Sequence, residues 1–311
     1  MARILVTGAA GFIGRVLCRV LVERGHAVLG LTHGQAEPIP GVELGSIGDI
    51  GPQTDWLGHL DRVDIVVHLA NRAHRPARDS ATAVEAEAAA VLARAAVNGG
   101  VRRLVHMSSV RAMGDATRPG HPFRCTDPPL PRDAYGRGKL ATERALQEVA
   151  QQTGLDLVIL RPPLVYGPGV KANFRALIGL VASGLPLPFS AIDNRRSLIF
   201  LDNLVDVAAA ACLHPGAAGR VLLARDAADL STPELIRAIA AGLGREARLF
   251  AVPQTVFAPF RHLAILGPLV ARLTLSLQID DGETRTALDW LPPVRPETGI
   301  AATAQAFRSP S

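Results

Sequence analysis

The sequence predicts an α/β fold, a doubly wound parallel sheet with a smaller, mostly helical C-terminal lobe, and three observations predict it. The chain opens on a strand that runs straight into a glycine-rich turn and a helix. Strand-length apolar runs then alternate with helix-length amphipathic segments as far as Leu160, the pattern of successive β-α-β units with right-handed crossovers. Beyond Gly169 the alternation loosens. The sheet is therefore assigned to 1–169 and the second lobe to 170–311, with 197–213 returning to the first unit.

In order, Arg3-Ile-Leu-Val-Thr7 reads as a buried parallel strand and leads into Gly8-Ala-Ala-Gly-Phe-Ile-Gly14, after which apolar residues recur at helical spacing. Glycines at these positions let the backbone turn tightly and approach a pyrophosphate, and the helix start offers free N–H groups to it. Alone the pattern is weak; between a strand and a helix it points to dinucleotide binding. A second strand, 27–32, ends at Thr32 and His33, where such folds often place an acid on the adenosine ribose. Without that acid NADP is allowed as well as NAD. Arg15 either contacts a 2′-phosphate or faces solvent. After a third strand near 42–44, Asp49 either accepts from the adenine amine or caps the next helix. A fourth strand covers 64–70, and His68 inside it reads as a core histidine without chemistry.

An alanine-rich helix over 80–98 ends at Gly99-Gly100. The fifth strand, 103–106, delivers Ser108 and Ser109 to the carboxyl end of the sheet, where open parallel sheets bind ligands. Residues 114–133 read as a loop over that edge, a helix covers 134–152, and a sixth strand at 156–160 stops at Pro162-Pro163. Helices are expected at 172–184, 203–213, 232–242 and 254–277, and short strands near 197–201 and 220–224.

The chemistry centres on Asp133-Ala-Tyr-Gly-Arg-Gly-Lys139, which sets a phenol and an amine four residues apart on one helix face. An ammonium beside a phenol favours the phenolate, so Tyr135 is expected to serve as a general acid/base near neutral pH. An isolated Tyr-x-x-x-Lys is ordinarily surface decoration. Here, however, of 33 Lys+Arg only Lys139 and Lys171 are lysine, which marks a site where a compact ammonium is needed and a guanidinium would not serve.

Composition narrows the partners. The net charge is +5 and the pI about 9.7, but no arginine cluster with interleaved aromatics argues for nucleic acid. Three widely spaced cysteines fit a reducing compartment and no zinc site. No signal-peptide pattern precedes the first strand, so a cytoplasmic setting is expected. The apolar run 263–271 is far below the roughly 20 residues needed to span a bilayer. The stretch 254–277 reads as core or dimer packing, with a membrane-surface role as its alternative.

The combination of Thr7-Gly-x-x-Gly-x-x-Gly14, a serine after the fifth strand and Tyr135-x-x-x-Lys139 resembles the extended short-chain dehydrogenase/reductase superfamily, and within it the nucleotide-sugar epimerases and reductases. Segments 161–174, 194–202 and Leu288-Asp-Trp290 resemble the same group. The resemblance implies a Rossmann-type sheet. It also implies Tyr135 as acid/base, Lys139 on the nicotinamide ribose, Ser109 hydrogen-bonded to the reacting sugar oxygen, and Asn173 and Arg196 on a nucleotide diphosphate. NAD or NADP, with NADP favoured, is expected against Gly8, Gly11, Phe12, Ile13, Gly14, Thr32, Asp49, Ile50, Leu69, Ala70, Tyr135, Lys139 and Pro162. No metal is expected, and the partners implied are a UDP-sugar and a second copy in a homodimer built on 80–98 and 134–152.

Three departures refine this. Sugar 4,6-dehydratases of the superfamily carry Thr-Asp-Glu where this chain has Ser109-Val110-Arg111, so the groups that eliminate water are missing. Met113 and Thr32/His33 replace an aromatic and an acid usual in UDP-glucose 4-epimerases. Gly138 replaces the serine common in Tyr-x-x-Ser-Lys, which weakens the helix there without removing a catalytic group. The function expected is oxidation and reduction at C4 of a UDP-linked sugar, as a 4-keto-sugar reductase or a 4-epimerase in surface polysaccharide precursor synthesis. The competing reading is a non-catalytic dinucleotide sensor, against which Ser109, Tyr135 and Lys139 together argue.

Overall fold

The computed structural model describes residues 1–70, 79–262 and 267–308. Seven strands form one parallel sheet in the order β3-β2-β1-β4-β5-β6-β9. These are β1 (Arg3–Thr7), β2 (Ala27–Thr32), β3 (Val42–Ser46), β4 (Ile65–His68), β5 (Arg103–Met107), β6 (Asp156–Leu160) and β9 (Val221–Leu222). Alternation within β1 explains the two layers. Ile4 and Val6 turn to α1 (Phe12–Glu23) and α5 (Leu201–Leu213), while Leu5 turns to α2 (Asp79–Asn98) and α3 (Ala134–Thr153). The strand order reverses between β1 and β4, so a crevice opens there at the carboxyl ends of the strands.

The second lobe packs α4 (Ala172–Ala182), α6 (Thr232–Gly242) and α9 (Pro296–Arg308) around Phe174, Ile178, Ile239 and Ile300. A two-stranded parallel sheet, β7 (Leu164–Tyr166) with β8 (Leu198–Phe200), joins it to the first unit. There the buried Asp226 carboxylate accepts from Tyr166 Oη (2.6 Å), Asn203 Nδ2 (2.7 Å) and Phe200 N (2.9 Å).

Several expectations change. The stretch 254–277 is not one helix: Gln254–Phe257 and Pro259–His262 are 3-10 turns, α7 spans Gly267–Thr274, and 263–266 lie outside the described residues. Pro253 and Pro259 break the register at its start. Leu201, placed in a strand, begins α5 instead. Strand β7 and helices α8 (Gly282–Leu288) and α9 were missed because they are short or lie between prolines. No helix among the described residues is long and apolar enough to cross a membrane.

Candidate active site

The glycine turn is built as its sequence demands. Gly8 has φ +72°, and a Cβ there would come within 3.1 Å of Ala70 N; a Cβ on Gly14 would lie 2.2 Å from the Gly8 carbonyl oxygen. Helix α1 starts after Gly11 with no side-chain cap and no acid in its first turn. Its leading N–H groups therefore remain for an anion. That cradle fits a dinucleotide pyrophosphate. Two cavities flank it, of 400 and 660 Å³. The smaller is lined by Thr32, Asp49, Ile50 and Ala70, the larger by Phe12, Ile13, Gly14, Ser109, Tyr135, Pro162, Asn173 and Arg196, and Gly8, Gly11, Leu69 and Lys139 line both. The structure thus gathers every cofactor, catalytic and substrate residue expected from the sequence around one crevice.

In the smaller cavity the Thr32 hydroxyl lies 2.5 Å from the Gly34 carbonyl oxygen. Asp49 lies 3.2 Å from His33 Nε2, and no helix starts after it to cap. The Arg15 guanidinium turns away to the Glu37 and Pro38 carbonyls at 3.2 and 3.4 Å, a structural use. His68 is the satisfied core histidine expected, its Nδ1 2.9 Å from Thr7 Oγ1, and its ring stacks on the buried His106.

The chemistry end is fixed by α3. Asp133 caps that helix by accepting from Gly136 N at 2.7 Å, and it forms an ion pair with Arg111. Burial alone would raise its carboxyl, but the Arg111 and Gly136 hydrogen bonds outweigh burial and hold it below its usual value. A Cβ on Gly136 would stand 2.2 Å from the Arg111 carbonyl oxygen. Bare backbone there lets the Tyr135 turn sit directly on the Ser109 turn. Ser109 caps the 3-10 turn Val110–Ala112, its Oγ accepting from Arg111 N at 3.2 Å, which leaves the hydroxyl proton for the cavity. Ser108 instead donates to Glu143, which also takes Arg161 Nε at 3.0 and 3.2 Å, so Ser108 belongs to a buried ionic hub.

Tyr135, 38% exposed, faces the larger cavity. Lys139 is buried, and its Nζ donates to Met107 O at 3.0 Å. Burial lowers the ammonium to about 8 against the opposing pull of Glu85 and Glu143. An amine titrating near neutrality, one turn from a phenol, is suited to proton transfer.

Across the cavity, Arg196 donates to Leu275 O at 3.0 Å, and burial together with Arg272 and Arg111 lowers its guanidinium to about 10. Burial and Arg111 also lower Arg272, against the pull of Asp133. Three arginines, Arg111, Arg196 and Arg272, thus share one cavity with Lys139 and a single paired carboxylate, Asp133, an arrangement that suits a polyanion. Arg195, by contrast, is half-exposed and pairs with Glu234 at 2.9 Å. Arg272 was given no role in the sequence because it stood there only as a charge closing the apolar run 263–271, and nothing local sets it apart from Arg261 at the other end.

The model of the family described as "NAD dependent epimerase/dehydratase family" matches residues 4–223. The chain belongs to that family. It is therefore an extended short-chain dehydrogenase/reductase and an enzyme of the epimerase/reductase kind. It is 37% identical over 311 residues to the UDP-glucose 4-epimerase of Vibrio cholerae, covering 98% of this chain and 95% of that one. It is 27% identical over 210 residues to the UDP-2-acetamido-2,6-beta-L-arabino-hexul-4-ose reductase of Pseudomonas aeruginosa, covering 65% and 47%. Its fold resembles that of the UDP-glucuronic acid 4-epimerase of Bacillus cereus in complex with NAD, with TM-score 0.79, 21% identity and 98% of each chain covered.

Proposed function

We propose that this enzyme carries out NAD(P)-dependent epimerisation at C4 of a UDP-linked sugar. One observation carries the reading: Ser109, Tyr135 and Lys139 line the same cavity as Arg196 and Arg272, which puts a proton-transfer pair and a cationic, diphosphate-suited wall in one cavity. A nicotinamide dinucleotide held over the Gly8–Gly14 turn would supply hydride chemistry at C4. Tyr135 would take the proton of the C4 hydroxyl as C4 is oxidised and return it to the oxygen as C4 is reduced. Ser109 donates its free proton to the same oxygen and holds it in line. The Lys139 ammonium favours the phenolate by charge. Arg196, Arg272 and Asn173 hold the diphosphate, and the α1 N-terminus holds the dinucleotide.

A second reading, reduction of a 4-keto-6-deoxy sugar with NADPH, is favoured by one observation: no carboxylate stands at the end of β2 to receive a ribose 2′-hydroxyl or to repel a 2′-phosphate. A cytoplasmic homodimer formed through α2 and α3 and serving surface polysaccharide synthesis completes the proposal. The test is to denature the purified protein and identify any released dinucleotide. Retained NAD supports epimerisation, and an empty protein that takes NADPH over NADH supports reduction. A protein that binds neither sinks both readings.

A further inference from the structure

The second lobe carries another cavity, of 690 Å³, that shares no lining residue with the active site. It lies where α4, α6 and α9 end. Arg245 donates to Ala182 O at 2.5 Å, Arg248 to Gly184 O at 3.4 Å and Arg308 to Leu243 O at 3.4 Å. Helix-terminal carbonyls explain where these guanidiniums sit, yet each such bond uses one of five N–H donors. A fourth, Arg175, lies 4.9 Å over the Phe307 ring that lines the same cavity. Among the described residues none of the four pairs with a carboxylate, and the one acid in the lining, Glu246, is itself unpaired.

Large apolar side chains stand exposed beside them. Leu185, next to the Gly184 carbonyl that receives Arg248, is 61% exposed, and Phe250 is 48% exposed. Backbone bonds from Leu187 N to Arg248 O (2.8 Å) and from Phe250 N to Leu187 O (3.0 Å) bind the two segments together. Along 248–250 the exposure alternates, so Arg248 and Phe250 project from one side while Leu249 turns inward. The patch continues towards the active-site mouth, since Leu180 on the last turns of α4 lines the larger cavity and is partly exposed.

We propose that this face docks on an anionic lipid bilayer. The four guanidiniums carry no carboxylate partner among the described residues, a charge excess that an array of anions complements, and an apolar layer beneath those anions takes Leu185 and Phe250 out of water. A bilayer surface offers phosphates with hydrocarbon directly beneath them, and the net charge of +5 favours the approach. The apolar surface concerned is not the stretch 254–277 singled out in the sequence but the α4 end and the 248–250 edge.

The test is co-sedimentation of the full chain with phosphatidylcholine vesicles with and without phosphatidylglycerol, which needs no assumption about substrate. Binding is expected only with phosphatidylglycerol and is expected to be released at about 0.5 M salt. The pairs Leu185→Glu/Phe250→Glu and Arg245→Glu/Arg248→Glu are each expected to weaken it by at least about tenfold, with thermal melts showing both variants folded. Absence of binding to phosphatidylglycerol vesicles, or binding retained by either folded pair, overturns the proposal.

Discussion

Gly136→Ala is expected to damage catalysis more than its size suggests. The new methyl would lie 2.2 Å from the Arg111 carbonyl oxygen and 2.9 Å from its carbon, both backbone atoms. Relief requires the start of α3, with Tyr135, to move by about 1 Å from the Ser109 turn. Overpacking of this kind costs about 1–3 kcal/mol. At about 2.1 cal/mol/K per residue, the entropy of unfolding for a chain of 311 residues converts 2 kcal/mol into a fall in Tm of about 3 °C. A 1 Å misplacement of reacting groups costs about 100-fold in rate, so kcat/KM is expected to drop far more than stability. Gly138→Ala is the control, because its Cβ would meet Thr82 Oγ1 at 3.5 Å, an ordinary contact. That change removes a helical glycine and is expected to stabilise by about 0.5–1 kcal/mol. The assays are calorimetry and C4 turnover on both variants; wild-type kcat/KM in Gly136→Ala would refute the argument that this contact sets the Ser109 to Tyr135 spacing.

Glu143→Ala strands the buried Arg161 charge and is expected to cost about 3–5 kcal/mol by denaturant unfolding, much of it recovered in Glu143→Leu/Arg161→Met. Burial and the nearby Lys139 charge push His68 down to about 3 and His106 well below its ordinary value. The unfolded chain then takes up protons that the fold refuses, so stability falls as pH drops below about 6.5, by about 2 kcal/mol at pH 5 from His68 alone; His106→Phe should flatten that slope in acid titrations. Lys139, lowered to about 8, keeps its charge below that pH and loses it above, while an unfolded lysine holds its proton to about 10.4. Its contribution to stability therefore rises between those values, whereas kcat/KM is expected to fall on an alkaline limb near 8, seen in a pH profile.

The parallel core was legible because β1, β4, β5 and β6 each carry consecutive large apolar residues and each is followed by a turn or helix signal of ordinary length. The site was legible where one local spacing sets the geometry, as in the glycine turn and in Tyr135 with Lys139. It was illegible where distant segments meet. The Arg111 to Asp133 clamp spans 22 residues, and Arg272 reaches Arg196 only through the packing of α7 against the lobe. Neither leaves a periodic trace. The second lobe was read less well because its elements are short and bounded by prolines, so position along the chain carries little information about what packs beside what.

The most direct test of the account is C4 turnover by Tyr135→Phe with UDP-glucose, UDP-N-acetylglucosamine and a UDP-4-keto-6-deoxy sugar. The phenol is assigned the proton of the reacting oxygen, so turnover is expected to fall by about 100- to 10,000-fold while dinucleotide binding persists. Turnover at the wild-type rate on any of the three would contradict the assignment.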